Sequence, residues 1–522
     1  MGPWNRRQEM GWAAVIMGVS VLLSRFMGLI RDKIISYLFG ATRETDLYFA
    51  AFVVPDFINY LLAGAYFSIT LIPLLAEHFH KDEEEGWRFL STVLTWIFLT
   101  AAALTLVAMI LAPQLAFFAA PGLDDAALRR LARFLRIVLP AQVCFLLGSC
   151  FMAVLYLRKQ FLLPALVPLV YNSMIILGGV ILRRRGMEGF CWGVLTGAFL
   201  GNFLLPLWAV NKEGGVKFRP RLTHSGLKGF LLLALPLMLG QSIVVLDEQF
   251  TRIFASLAGI GAISWLNYGR RIMMVPVGVV AQAAGVASYP FLADLVARKE
   301  FPKFHETLNR ALLNVCVLLL PLSFWMITVS EPIIVLIFQQ GKFGAADSVQ
   351  TTRVLQILLL AVLFWGGQQI VARGYYARQD TLTPAVLGTV TSLVSVPVFY
   401  LAGLHYGAPG VAGASGVSVI LYTLLLSGWW GRRFGWATFR GLQAALGKTF
   451  LVALVCCGPS YWIVRWQFIR DAAHPYLWAL GTIGVTALVY GGTFLVLGRL
   501  LLGTLLDPFL EKAGPLGRRL LR

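Results

Sequence analysis

Charge is what this sequence has least of, acidic charge above all. Asp and Glu number 25 among 522 residues, and the four charged types together reach 13%. Soluble chains of this length carry about twice that share, which excludes a soluble enzyme or binding module. Cysteine is also scarce: Cys144, Cys150, Cys191, Cys316, Cys456 and Cys457 all lie in apolar stretches without metal-ligand spacing. They read as small buried hydrophobes. No P-loop, catalytic triad or zinc spacing is present, so no catalytic residue, cofactor or metal ligand is expected. Asp124 and Asp125 lack a further acidic partner nearby, which removes a metal-bound prenyl-diphosphate site.

What the sequence does have is apolar length. Hydrophobic residues make up 58% and mean hydropathy is +0.75. Spans of about 20 apolar residues are expected near 10–40, 46–76, 89–115, 134–156, 161–182, 189–210, 229–257, 262–293, 311–339, 347–372, 382–404, 409–430, 449–464 and 474–503. The fold class is therefore an all-α integral membrane protein with fourteen transmembrane helices. The residues ahead of the first span are few, and that span is too long for a signal-peptide core, so no cleaved signal is expected. Lys and Arg outside the spans divide 24 to 10 between the two sides, the larger share falling with both termini. By the positive-inside rule both termini are cytoplasmic. Topology thus accounts for much of the +19 net charge, and no nucleic-acid partner is needed.

Tyr156, Arg158, Leu162, Pro164 and Ala165 recur with the same spacing as Tyr376, Arg378, Leu382, Pro384 and Ala385, at an offset of 220. Gly40 and Pro55 find a looser echo in Gly259 and Pro276. The expected organisation is two six-helix lobes, 1–220 and 221–440, followed by a helix pair with a cytoplasmic tail, 441–522. An even number of helices per repeat keeps orientation, so the lobes are parallel repeats with substrate near mid-membrane. Rocking such lobes gives alternating access.

Charges inside the spans are the candidate site. Arg25 sits mid-span in the first helix, where an arginine costs roughly 2.5–3.5 kcal/mol on insertion scales. Such residues face a bundle interior or a water-filled cavity and mark substrate pathways. Asp32, seven residues on, shares its face, and Arg31 is turned aside. In helix 7, Glu248 and Arg252 form an i, i+4 pair in the favourable order, preceded by Asp247. Arg270 and Arg271 enter helix 8. One reading is a cavity with excess positive charge for a phosphate or pyrophosphate, the acids acting as orienting partners or ion ligands. The other is a set of structural ion pairs locking helices together. Asp46 follows Thr45 at the start of helix 2, where an N-cap is equally expected. Asp56, after Pro55, faces a cavity rather than lipid.

Several stretches resemble the MurJ/MviN lipid II flippase family of the multidrug/oligosaccharidyl-lipid/polysaccharide exporter superfamily. They are Ser24-Arg-Phe-Met-Gly-Leu-Ile-Arg-Asp32, Phe39-Gly-Ala-Thr-Arg-Glu-Thr-Asp46, Ile253-Phe-Ala-Ser256, Phe338-Gln-Gln-Gly-Lys-Phe343 and Gly374-Tyr-Tyr-Ala-Arg-Gln-Asp380 with Thr383-Pro384. The resemblance implies two lobes plus two helices, and a non-enzymatic transporter in the bacterial inner membrane. The implied substrate is an undecaprenyl-pyrophosphate-linked peptidoglycan precursor, moved from inner to outer leaflet, with membrane lipids and other cell-wall synthesis proteins as partners. It places substrate binding at Arg25, Arg31, Asp32, Asp46 and Arg271, and a lipid-tail groove at the last two helices. The chain departs from the family pattern at Asn59, commonly basic, at Ala63-Gly64-Ala65, commonly Ala-Glu-Gly, and at Arg270, commonly acidic or polar. Arg270 is therefore expected to restore a cavity charge lost at Asn59. The alternatives are a flippase for another polyprenyl-linked oligosaccharide, a drug or cation antiporter, which like-charge repulsion disfavours, and a polyprenyl-phosphate membrane enzyme.

Overall fold

The computed structural model describes residues 10–62, 64–212, 218–239, 242–465, 475–503 and 506, and no strand occurs among them. The chain forms two compact units, residues 1–264 and 265–522. The boundary at 264 places the residues from 221 onward with the first unit, whereas the lobe boundary near 220 is a statement about repeats in the sequence.

The first unit runs α1 (Met10–Phe39), α2 (Arg43–Ala50), α3 (Val53–Leu61), α4 (Gly64–Lys81), α5 (Glu83–Ile110), α6 (Ala112–Ala119) and α7 (Asp125–Val138). It continues with α8 (Ala141–Leu157), α9 (Leu162–Ile181), α10 (Glu188–Gly197), α11 (Leu205–Lys212), α12 (Leu227–Leu239) and α13 (Ser242–Ala255). A π-helical stretch, Ala198–Leu204, joins α10 to α11. α14 (Ala262–Pro276) leads into the second unit, where a π-helical turn, Val277–Gln282, joins it to α15 (Ala283–Ala297). Then come α16 (Phe301–Thr328), α17 (Ser330–Ile337), α18 (Ala345–Leu360), α19 (Val362–Ala377), α20 (Leu382–Phe434), α21 (Leu442–Arg465) and α22 (Pro475–Leu502).

Nine helical segments among the described residues are long and apolar enough to cross a membrane, or ten if the bent pair α18–α19 is one span. The molecule is a multi-pass membrane protein. α20 accounts for two of the expected spans. Gly407 breaks it at φ 63°, and Tyr422 Oη donates to Pro384 O at 3.3 Å. A straight helix would hold those residues more than 50 Å apart at about 1.5 Å per residue, so α20 is a hairpin. Helix 2, expected as one span over 46–76, is instead divided into α2, α3 and α4. Pro55 has no N–H to donate to the carbonyl of Ala51, and the helical ladder lapses at 51–52.

The two halves of the chain repeat element for element. α5, α6, α7, α8 and α9 have counterparts in α16, α17, α18, α19 and the first arm of α20, at offsets of 218 to 221 residues. The turns recur too. Gly186 and Gly407 both take positive φ, as do Lys159 and Gln379. After Lys159, Gln160 N–H closes on Leu155 O, and after Gln379, Asp380 N–H closes on Tyr375 O, both at 2.9–3.0 Å. This is the Schellman end of a helix, built twice from the repeated Arg158 and Arg378 stretches. α21 and α22 fall outside the repeat. They pack together and on α16 and α17, with Trp325 Nε1–H reaching Thr486 Oγ1 at 3.4 Å.

Packing within the first unit relies on small residues where helices cross. α9 and α10 meet at Gly178 and Gly193, so closely that a Cβ on Gly178 would lie 2.6 Å from the Gly193 Cα. Such approach is the usual substitute for hydrophobic drive between helices in lipid. The exposed surfaces carry large apolar side chains instead, among them Leu106, Ile181, Leu393, Leu401 and Leu488.

Candidate functional site

α1 leans on α9 along its length and, near its end, on α2. Its buried positions, Ser20, Gly28, Asp32, Ile35 and Ser36, therefore concentrate toward the C-terminal half. Asp32 is fully buried, and Arg31 reaches its Oδ1 through Nε at 3.0 Å and Nη2 at 2.9 Å. Arg31 Nη1 also donates to Asn172 Oδ1 on α9 at 3.3 Å. The Arg31–Asp32 pair thus ties α1 to α9. Arg25 is different: its side chain is exposed, with Leu22 and Phe26 exposed around it. Arg25 and Asp32 do lie on one side of the helix, but only the Asp32 end is covered.

Asp46 does not cap its own helix, because α2 begins at Arg43 with Thr42 as its N-cap residue. Its carboxylate crosses instead to the start of α14. It accepts from Gly261 N–H at 2.6 Å, from Ser264 N–H at 2.8 Å and from the Ser264 hydroxyl at 2.6 Å. Asp46 is 2% exposed, so both oxygens are taken by donors that a helix start leaves unsatisfied. Each buried donor left without an acceptor costs about 1–3 kcal/mol. Asp46→Ala should accordingly lower the thermal unfolding temperature in detergent markedly, with Asp46→Asn intermediate. An Asp46→Ala protein that unfolds normally yet no longer binds substrate would make Asp46 a ligand and not an anchor.

Arg252 on α13 is held between two carboxylates, Asp56 Oδ2 on α3 at 2.7 Å and Glu248 Oε1 at 2.5 Å. Gln249 Nε2 donates to the same Asp56 oxygen at 3.2 Å. The i, i+4 pair with Glu248 forms as its spacing requires, and Asp56 joins it from 196 residues away. With two acids to one base this cluster carries no excess positive charge. Asp247 is buried on the same helix, 2% exposed.

At the end of the first unit where α2, α7 and α10 meet lies a second ionic group. Arg130 bridges Glu44 at 3.1 Å and the buried Glu188 at 3.0 Å, and Arg133 reaches Glu188 at 3.0 Å. Arg43 pairs with Asp124 at 2.9 Å. The Ala127 N–H and Arg43 hold the Asp124 carboxyl below its usual range. Sequence reasoning missed Glu44, Glu188 and Asn172. For Asn172 a lone amide inside an apolar span was the available signal; Glu44 and Glu188 sit at span ends, where acids are ordinary.

In the second unit Arg270 and Arg271 point apart. Arg270 is 8% exposed, its guanidinium 5.1 Å from the centre of the Trp365 ring, while Arg271 is exposed. One residue is a 100° turn of helix. Arg270 therefore packs inside its own unit, while Arg271 is presented on the surface.

His78, Glu85 and His224 also converge, although no metal spacing was visible in the sequence: one ligand atom from each lies within 4.8 Å of the others. Burial pushes the His224 imidazole below its usual range, against the pull of Glu85.

Residues 35–470 match the family model described as "Lipid II flippase MurJ". The lipid II flippase MurJ of Burkholderia cenocepacia is 29% identical over 419 residues, covering 78% of this chain and 80% of that protein. The probable lipid II flippase MurJ of Haemophilus influenzae is 26% identical over 514 residues, 91% of this chain and 98% of the relative. A solved structure titled "Lipid II flippase MurJ, inward closed conformation" superposes with a TM-score of 0.75 at 25% identity, covering 94% of this chain and all of that one. An inward-facing multidrug resistance MATE transporter of the MOP superfamily superposes at 0.66 with 15% identity, covering 82% and 99%, a likeness of fold.

Proposed function

This chain belongs to the MurJ lipid II flippase family, and on that premise we propose that it moves lipid II from the inner to the outer leaflet of the bacterial cytoplasmic membrane, with both termini in the cytoplasm. It does so without making or breaking a covalent bond in the substrate. The observation that carries the reading is the match over residues 35–470, joined to an exposed arginine, Arg25, in the middle of α1 and flanked by apolar residues.

Arg25 and Arg271, each exposed on its own unit, are the diphosphate ligands in this proposal, since a guanidinium fork matches phosphate oxygens two at a time. Arg31 with Asp32, Arg252 with Asp56 and Glu248, and Asp46 with Ser264 hold helices in place so that those ligands are presented. Arg270 supports α14 from behind. The substrate head is bulky and hydrophilic, and a static pore wide enough for it would leak ions. Alternate exposure of the binding residues to the two sides avoids that leak, which fits the repeated lobes.

Expression of this chain should restore growth to a bacterium depleted of its own lipid II flippase. The purified protein in vesicles should move labelled lipid II across the bilayer and return it chemically unchanged. Covalent alteration of the lipid would replace this reading with a membrane enzyme. Absence of both rescue and lipid II movement, with another polyprenyl-linked glycan moved instead, would keep the mechanism and change the substrate.

A further inference from the structure

The corner between α4 and α5 is a single residue, Asp82, whose N–H returns to His78 O. That corner brings His78, in the last turn of α4, beside Glu85 in the first turn of α5. The segment 218–226 lies along α5: Arg219 N–H donates to Ser91 Oγ at 3.3 Å and Trp96 Nε1–H donates to Leu222 O at 2.9 Å. These bonds deliver His224 to the same corner.

Both imidazoles are held in defined orientations. His78 is 6% exposed, stacks on Phe89 with ring centres 4.4 Å apart, and has Nδ1 2.7 Å from Leu74 O. Nδ1 therefore carries the proton, and the lone pair is on Nε2. A histidine whose second nitrogen donates to a backbone carbonyl is the usual arrangement behind a metal ligand. The His224 side chain is 7% exposed, with Nε2 3.1 Å from Glu85 Oε1 and Nδ1 accepting from Gly226 N–H at 3.0 Å. The Glu85 side chain is one-third exposed, which leaves water a way in.

We propose that His78, Glu85 and His224 form a binding site for one divalent transition ion of the zinc type, with water as its fourth ligand. Two imidazoles and a carboxylate suit zinc and its neighbours, whereas magnesium and calcium require mostly oxygen. The proton balance is simple. The ion takes the lone pair of His78 Nε2 and replaces the proton on His224 Nε2. The His224 proton passes to Nδ1, so none is released, and Gly226 N–H gives up its acceptor. Gly226 O receives Phe230 N–H at 3.0 Å in the first turn of α12. Metal binding is thereby coupled to the segment that leads into α12.

The test uses the full chain in detergent without an affinity tag of histidines. Zn2+ is titrated by calorimetry against a competing chelator, and Co2+ serves as a visible-absorption probe. One equivalent should bind, and Co2+ should show the intense bands of a tetrahedral site. His224→Gln and His78→Gln should each weaken binding by more than the roughly 10–100-fold that losing a supporting hydrogen bond costs. Gly226→Ala keeps all three ligands but sets a methyl 2.8 Å from His78 Nε2, and should weaken it similarly. His405→Gln, at an exposed imidazole, should change nothing. X-ray absorption of the zinc-loaded unmodified chain should show two imidazoles, a readout that does not depend on any variant folding. No stoichiometric Zn2+ binding, binding undiminished in the His78 and His224 variants, or a zinc shell with fewer than two imidazoles would overturn the proposal.

Discussion

Arg25→Ala should fail to support growth of a flippase-depleted bacterium at normal expression, and Arg25→Lys should rescue only in part. A hydrogen bond to a charged partner is worth about 1.5–3 kcal/mol, so losing a two-pronged contact weakens substrate binding roughly a hundredfold or more. Lysine keeps the charge but offers a point in place of a planar fork. Because the Arg25 side chain is exposed and its neighbours Leu22 and Phe26 are exposed as well, the alanine protein should fold and accumulate normally. Unfolding temperature and membrane abundance therefore separate a lost ligand from a lost fold. Full complementation by Arg25→Ala would remove Arg25 from the substrate site.

Arg270→Asp should abolish function by a different route, through loss of folded protein. The guanidinium that sits over the Trp365 ring would give way to a shorter side chain of opposite charge, facing the negative side of an aromatic ring. Burying a carboxylate there costs several kcal/mol in lost hydration, a large part of the stability of a typical domain. Adding Asn59→Arg should not recover growth, because what is lost is packing in the second unit and not total positive charge. Arg271→Asp should behave oppositely, leaving thermal unfolding nearly unchanged and lowering lipid II transport. Recovery by the Asn59→Arg, Arg270→Asp double variant would restore the view that the two positions exchange charge.

Much of this protein was determined by its sequence taken alone. Apolar length set the class, because a helix must run about 20 residues to satisfy its backbone across lipid. Local spacing set the Glu248–Arg252 pair, since residues four apart on a helix are neighbours wherever the helix lies. The offset of 220 between the Tyr156 and Tyr376 stretches pointed to turns that the structure builds twice. The family motifs carried the flippase reading.

Only tertiary structure decided what each charge touches. Asp46 finds Ser264 at a separation of 218 residues, Asp56 finds Arg252 at 196, and Arg31 finds Asn172 at 141. Neighbouring Arg270 and Arg271 part into a packed side chain and an exposed one. His78 and Glu85 acquire His224 from a segment beyond α11. The physical reason is the solvent. In water an amphipathic stripe marks the buried face of a helix, but these helices are apolar on nearly every side, whether they face lipid or one another. Periodicity therefore says how long each helix is without saying which way it faces. A polar side chain in such a helix is specified only when a particular neighbour arrives to meet it.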